Sequence, residues 1–273
     1  MIRKIPAILP AHLRLLPDFI IIGAQKCGTT SLYNYLIEHP WVAPSAIKEV
    51  HFFDLAFDRG LTWYRRQFPS LLEKCYARIV LRQDLVTGEA SPYYIFHPHA
   101  PRRIRVTLPD VKLIVLLRNP VDRAFSHYQH SVRSGQEPLS FEEAVEKECE
   151  RLNGELEKML ADEHYCSIPH QAYSYLLRGI YVSQLKTWLE LFPAAQMLIL
   201  NSEDFYANPA VTYQQTLEFL GLPTYELREY RKYDHGGYRA KMDSATRRRL
   251  IEYFRPHNRR LYDFLDRRFD WDR

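Results

Sequence analysis

The sequence predicts an α/β fold in a single domain: three layers, with a central, mainly parallel sheet flanked by helices. Three observations carry that expectation. Strand-like runs at 19–22, 85–89, 111–117 and 196–200 alternate with helical patterns, as βα units do and hairpins do not. The first run is continuously apolar, as a strand covered on both faces must be. No Gly/Ser/Pro-rich linker, low-complexity stretch or internal repeat divides the 273 residues, so 18–273 reads as one domain behind a short N-terminal extension, 1–17.

The elements follow in order. After the strand at 19–22 comes Gly23-Ala24-Gln25-Lys26-Cys27-Gly28, a tight turn, and then a helix over 30–38. Further helices are expected at 98–107 and 120–134, the second with Pro120 in its first turn, where proline is tolerated. Ser140 and Glu143 have capping-box spacing and open a helix over 141–159. Its Glu and Lys content reads as a solvated surface. Helices at 173–191, 209–220 and 244–268 complete the set. Ligands of an open α/β sheet bind beyond the carboxyl ends of its strands. Lys26, Glu89, Arg118 and Asn201 all lie at or just after such an end.

Composition narrows the class. A hydrophobic fraction of 46% supplies a core, and a net charge of +4 suits anionic ligands without specifying one. The Arg-rich stretch 247–249 is interleaved downstream with Glu252, Asp263 and Asp266, which argues against a nucleic-acid polymer as partner. No apolar run reaches the ~18 residues of a membrane span. The first 17 residues lack the apolar core and cleavage site of a secretion signal. Four cysteines at irregular spacing give neither a zinc pattern nor a disulfide framework. A cytoplasmic location is the expectation.

The turn after the first strand is built for an anion. Gly23 and Gly28 allow close backbone approach, and the helix behind them points its positive end at the ligand. Lys26 adds a charge; Thr29, Thr30 and Ser31 add hydroxyl donors. The turn is P-loop-like, but Lys26 precedes Gly28, whereas the nucleotide-triphosphatase loop has its lysine directly after the last glycine. That order suits a phosphosulfate better than ATP. Downstream, Glu49 and His51 face one side if their segment is extended, and either could take a proton from an attacking hydroxyl. Arg118 at a strand end offers a fork of donors to a phosphate.

Together this loop, Lys48-Glu49-Val50-His51-Phe52-Phe53-Asp54 and the run from Leu116 to Ser126 resemble the sulfotransferases that use 3′-phosphoadenosine-5′-phosphosulfate (PAPS). The likeness is greatest to the heparan-sulfate branch and its bacterial relatives, from about Asp18 to Trp271. The resemblance implies in-line transfer of a sulfuryl group from PAPS to an acceptor hydroxyl or amine, without a metal, releasing adenosine 3′,5′-bisphosphate. It places Lys26 at the leaving group, with Cys27, Gly28, Thr29, Thr30 and Ser31 around the donor. Arg118 and Ser126 hold its 3′-phosphate. Glu49 is the base, with His51 and Asp54 in support; His51 is the alternative base, because small-molecule members use a histidine. Lys48 binds the donor's sulfonate or the acceptor, and Glu89 contacts the acceptor or Lys26, or is a buried structural carboxylate.

Two departures stand out. Where the family commonly has Glu-Lys-Ser or Glu-Lys-Thr, this chain has Glu89-Ala90-Ser91, which points away from a heparan-type acceptor. In the C-terminal nucleotide-covering loop, His235-Gly236-Gly237 replaces Lys-Gly-Arg, leaving Tyr238 to stack on adenine and Arg239 or Lys241 to restore the charge. The acceptor remains a small molecule, a lipid or a glycan. The rival readings are a P-loop-type small-molecule kinase and a nucleotide-binding protein of the same fold with impaired catalysis.

Overall fold

The computed structural model describes residues 9–233 and 241–272. Five strands, β1 (Phe19–Gly23), β2 (Val42–Pro44), β3 (Val86–Ala90), β4 (Lys112–Leu117) and β5 (Met197–Asn201), form one sheet in the order β2-β3-β1-β4-β5. Every neighbouring pair is parallel. Phe19 to Ile22 and Leu113 to Leu117 are fully buried, as central strands covered on both faces must be. Helix α1 (Thr29–Glu38) packs with the helix Pro209–Leu220, while the helices Ala100–Thr107, Pro120–Arg133, Tyr181–Leu191 and Ser244–Leu265 pack among themselves. The sheet and its helices share one large core. A second cluster built on Val121, Phe141, Tyr175, Leu250 and Phe254 closes the far side of the 120–133 helix.

Local chemistry explains most boundaries. Asn119 caps the 120–133 helix by accepting from the Val121 N–H, with Pro120 at its first position. Ser140 and Glu143 form the expected reciprocal capping box. The helix expected over 141–159 is instead three short ones, Phe141–Glu146, Glu148–Leu152 and Glu155–Ala161. The first break falls at Lys147; Gly154 makes the second by adopting a left-handed conformation, φ 74°. Nor is this stretch all solvated surface: the buried carboxylate of Glu148 accepts from the backbone of Leu176 and Leu177 at 2.7 and 2.8 Å. The same contact corrects the helix expected over 173–191, which begins only at Tyr181. Residues 176–177 are held as a turn by that carboxylate. Residues 11–17 pack onto the domain: Leu15 joins the core, and Arg14 donates to the Phe68 carbonyl at 2.9 Å. No helix among the described residues is long and apolar enough to cross a membrane.

Candidate active site

Because all strands run parallel, the residues that follow them collect at one sheet edge. The turn after β1 is held from several sides. A Cβ on Gly23 would lie 2.4 Å from Ile95, so only glycine lets the loop leave the strand there. Gly28 has φ 93°, and a Cβ would press on Phe205 and Tyr206 at 3.0–3.2 Å. No side chain caps α1, so its first N–H groups are left for an anion. Arg118 donates from Nη1 to the Lys26 carbonyl at 3.1 Å, tying the end of β4 to the loop. Lys26 itself is half-buried with φ 71°.

The remaining loop residues divide by what their side chains touch. Cys27 points inward: it is fully buried, with Sγ 3.9 Å from the Tyr181 hydroxyl and its carbonyl accepting from Ser202 Oγ at 2.7 Å. Burial pushes its thiol up to about 11 despite nearby Arg123 and Arg118, so it is no thiolate at neutral pH. Ser31 Oγ accepts from the Tyr233 N–H at 3.1 Å. Thr29 is buried, and Thr30 Oγ1 accepts from Lys48 Nζ at 2.8 Å. Ser126 is buried on the 120–133 helix. Lys241 is exposed just before the helix that Asp243 caps; Tyr238 and Arg239 lie outside the described residues.

From Thr30 a polar chain runs outward. Lys48 Nζ also donates to Glu49 Oε1 at 2.7 Å, Glu49 Oε2 accepts from His51 Nε2 at 3.2 Å, and His51 Nδ1 donates to Asp54 Oδ2 at 2.8 Å. The segment is not extended: His51 sits in a turn with φ 51°, yet Glu49 and His51 still meet. Phe52 and Phe53 pack in the core. Burial raises the Glu49 carboxyl, but the His51 hydrogen bond and the Lys48 ammonium outweigh it and hold the group down at about 2. Burial likewise disfavours the His51 imidazolium, and the hydrogen bonds to Asp54 and Glu49 outweigh that, lifting it to about 10. At neutral pH Glu49 is therefore a carboxylate and His51 an imidazolium. Only Glu49 combines an ionised oxygen with substantial exposure, since the Asp54 side chain is fully buried.

Glu89 is fully buried at the end of β3 and gathers the loop from behind. Oε1 accepts from Tyr64 at 2.8 Å and Tyr94 at 3.1 Å; Oε2 accepts from Ser91 at 2.6 Å and the Val50 N–H at 3.4 Å. Ser91 Oγ accepts from the His51 N–H at 3.0 Å, and the Tyr94 hydroxyl from Phe52 and Phe53. Ala90 donates its N–H to the Lys48 carbonyl at 3.3 Å. The carboxyl is thus spent on backbone and hydroxyl donors of the loop. Burial raises its pKa to about 7, against hydrogen bonds that favour the anion.

Sequence reasoning passed over Gln25 and Arg178. Arg178 is buried, lies over Tyr93 and Phe96, and donates from Nη1 to Gln25 Oε1 at 2.6 Å. The two are 153 residues apart, and no local pattern announces the contact. An arginine only donates, so the Gln25 carbonyl faces it and the amide NH₂ is turned the other way. Among the described residues no three His, Cys, Asp or Glu side chains are arranged to hold a metal ion.

Comparison with known proteins follows the same lines. Residues 16–235 match the sulfotransferase domain family. Heparan sulfate glucosamine 3-O-sulfotransferase 6 of Homo sapiens is 31% identical over 281 residues, covering 94% of this chain and 74% of that protein. The bifunctional heparan sulfate N-deacetylase/N-sulfotransferase 3 of Homo sapiens is 31% identical over 285 residues, covering 92% of this chain but only 30% of that protein. Among solved structures, a sulfotransferase from Alicyclobacillus acidocaldarius superposes with a TM-score of 0.70 at 32% identity, covering 95% of this chain and all of that one. Neither these likenesses nor the site favours phosphoryl transfer. The chain belongs to the sulfotransferase family and is a sulfotransferase enzyme.

Proposed function

We propose that this sulfotransferase uses PAPS as donor and passes its sulfuryl group to an acceptor hydroxyl, in line, with Glu49 as base and Lys26 at the leaving oxygen. The observation that carries the reading is the hydrogen-bonded chain Thr30–Lys48–Glu49–His51–Asp54, which joins the phosphate loop to an exposed carboxylate. The loop fits the donor: an uncapped helix start, a half-buried lysine and an arginine at the next strand end meet on one edge. Lys26 and the α1 N–H groups stabilise the charge that grows on the departing phosphate. Arg118 and Ser126 bind the 3′-phosphate. Glu49 receives the acceptor's proton, and His51, cationic and held by Asp54, keeps that carboxylate in place. Glu89 positions the loop and does not meet the acceptor.

A glycosyl hydroxyl as acceptor is supported by relatives named for heparan sulfate O-sulfation. Ala90, small and fully buried, supplies no cation toward it, so we favour a less anionic acceptor than a heparan chain. Calorimetric titration with adenosine 3′,5′-bisphosphate tests the donor. Micromolar binding, lost in Arg118→Ala and not mimicked by ATP with Mg²⁺, is the expected result. Preference for ATP would overturn the reading. A screen of neutral and sulfated glycans with labelled PAPS then tests the acceptor, and exclusive use of heparan chains would overturn that part.

A further inference from the structure

The 120–133 helix turns inward a face on which the donor-site reading uses Ser126 and leaves Arg123 and His127 without a role. Arg123, Ser126 and His127 stand three and four residues apart and so share that face. All three are buried, Arg123 completely. The guanidinium donates from Nη2 to the Tyr175 carbonyl. Its Nε and Nη1 have no hydrogen-bond partner among the described residues, nor has Nδ1 of His127, one turn further on.

The neighbourhood is rich in cations and short of anions. Arg118, Cys27, Tyr181 and Glu148 act electrostatically on Arg123; Arg178, Arg123, His130 and Lys26 act on His127. Glu148 is the carboxyl in that company. Both its oxygens are taken by backbone N–H groups, and burial lifts it to about 7, so it neutralises Arg123 only in part. A buried cation short of partners destabilises the protein unless an anion offsets it. Of the residues assigned to the 3′-phosphate, Arg118 lies just before the Asn119 cap of this helix and Ser126 on this face of it.

We infer that Arg123 is a buried counter-charge for the donor's 3′-phosphate, set behind the residues that touch it. The inference rests on the donor-site reading above. Arg123 acts through its charge and not at the reacting atoms, which makes it a positioning residue. The ligand-free protein tolerates a guanidinium that is only partly compensated, and donor binding relieves it.

Arg123→Gln keeps a donor for Tyr175 and removes the charge; Arg123→Lys keeps the charge and changes the shape. Calorimetry with adenosine 3′,5′-bisphosphate and thermal melts without ligand are run on both and on wild type. Arg123→Gln should bind at least about tenfold more weakly, yet melt at or above the wild-type temperature, because a costly buried charge is gone. Arg123→Lys should recover most of the affinity. Wild-type affinity in Arg123→Gln, or equal weakness in both variants, overturns the inference. If Arg123→Gln does not fold, Arg123→Lys decides: near-wild-type affinity supports the charge, and about a tenfold loss overturns it. A wild-type protein that fails to bind the bisphosphate would instead fault the donor-site reading itself.

Discussion

Replacing His51 by asparagine separates the two candidate bases by the sign of a pH effect. Glu49 is held at about 2, below an ordinary 4.5, with the His51 hydrogen bond at 3.2 Å the first stabilising contribution and the Lys48 charge the next. Without His51, Lys48 alone opposes burial, and the carboxyl should rise toward the ordinary carboxylate range. His51 itself sits near 10, so through the neutral range it already carries the proton a base would have to accept. If Glu49 is the base, the wild-type kcat/KM with labelled PAPS should be level from about pH 4 to about pH 9. His51→Asn should lose about tenfold or more across that range, through a less well-held carboxylate. It should also show an acid limb at higher pH than wild type, because Glu49 takes up its proton sooner as pH falls. A wild-type rate that climbs steadily toward pH 10 would assign the proton to His51. An acid limb unmoved by the substitution would refute the coupling of the two side chains.

Further outcomes follow from the same geometry. Lys26→Ala should lower single-turnover sulfate transfer by about a hundredfold or more with only a few-fold change in bisphosphate binding; equal losses in both would place Lys26 at binding alone. If the Gln25 amide NH₂, turned away from Arg178, donates to the donor's sulfuryl group, Gln25→Leu should leave bisphosphate affinity intact but weaken PAPS binding by about fivefold, one hydrogen bond's worth. An unchanged ratio of the two affinities would remove Gln25 from the sulfuryl group. Folding stability should peak near about pH 6.5. Glu89 and Glu148, raised from an ordinary 4.5 to about 7, weaken the fold as pH rises between those values, and His51, raised to about 10, weakens it from 6.5 upward. His97 and His170, lowered to about 3, weaken it as pH falls below their unfolded 6.5. Urea midpoints across pH would check this, and His51→Asn should flatten the alkaline side.

The loop and four of the five strands were legible because their demands are local. A glycine at φ 93° and a run of isoleucines facing core on both sides each leave a mark in consecutive residues. β2 left none, being three residues long. The break at Gly154 was hidden inside a Glu/Lys-rich pattern that reads as continuous helix. At the site, Lys48, Glu49, His51 and Asp54 could be read together because they are near neighbours in the chain. The support behind them could not. Tyr64 reaches Glu89 across 25 residues and Arg178 reaches Gln25 across 153, and nothing in either local sequence distinguishes these side chains from ordinary core.

The Glu89 carboxyl, standing on the sheet, decides how the segment from Val50 to Phe53 lies. That segment's backbone is pinned from behind through Val50, His51, Phe52 and Phe53, so its outward residues are released from holding its shape. Ile47, Asp58 and Leu61, which flank it and face solvent, can be exchanged without disturbing the Glu49 carboxylate. A scaffold divided this way can meet new acceptors by changing its rim while its chemistry stays where the strand put it.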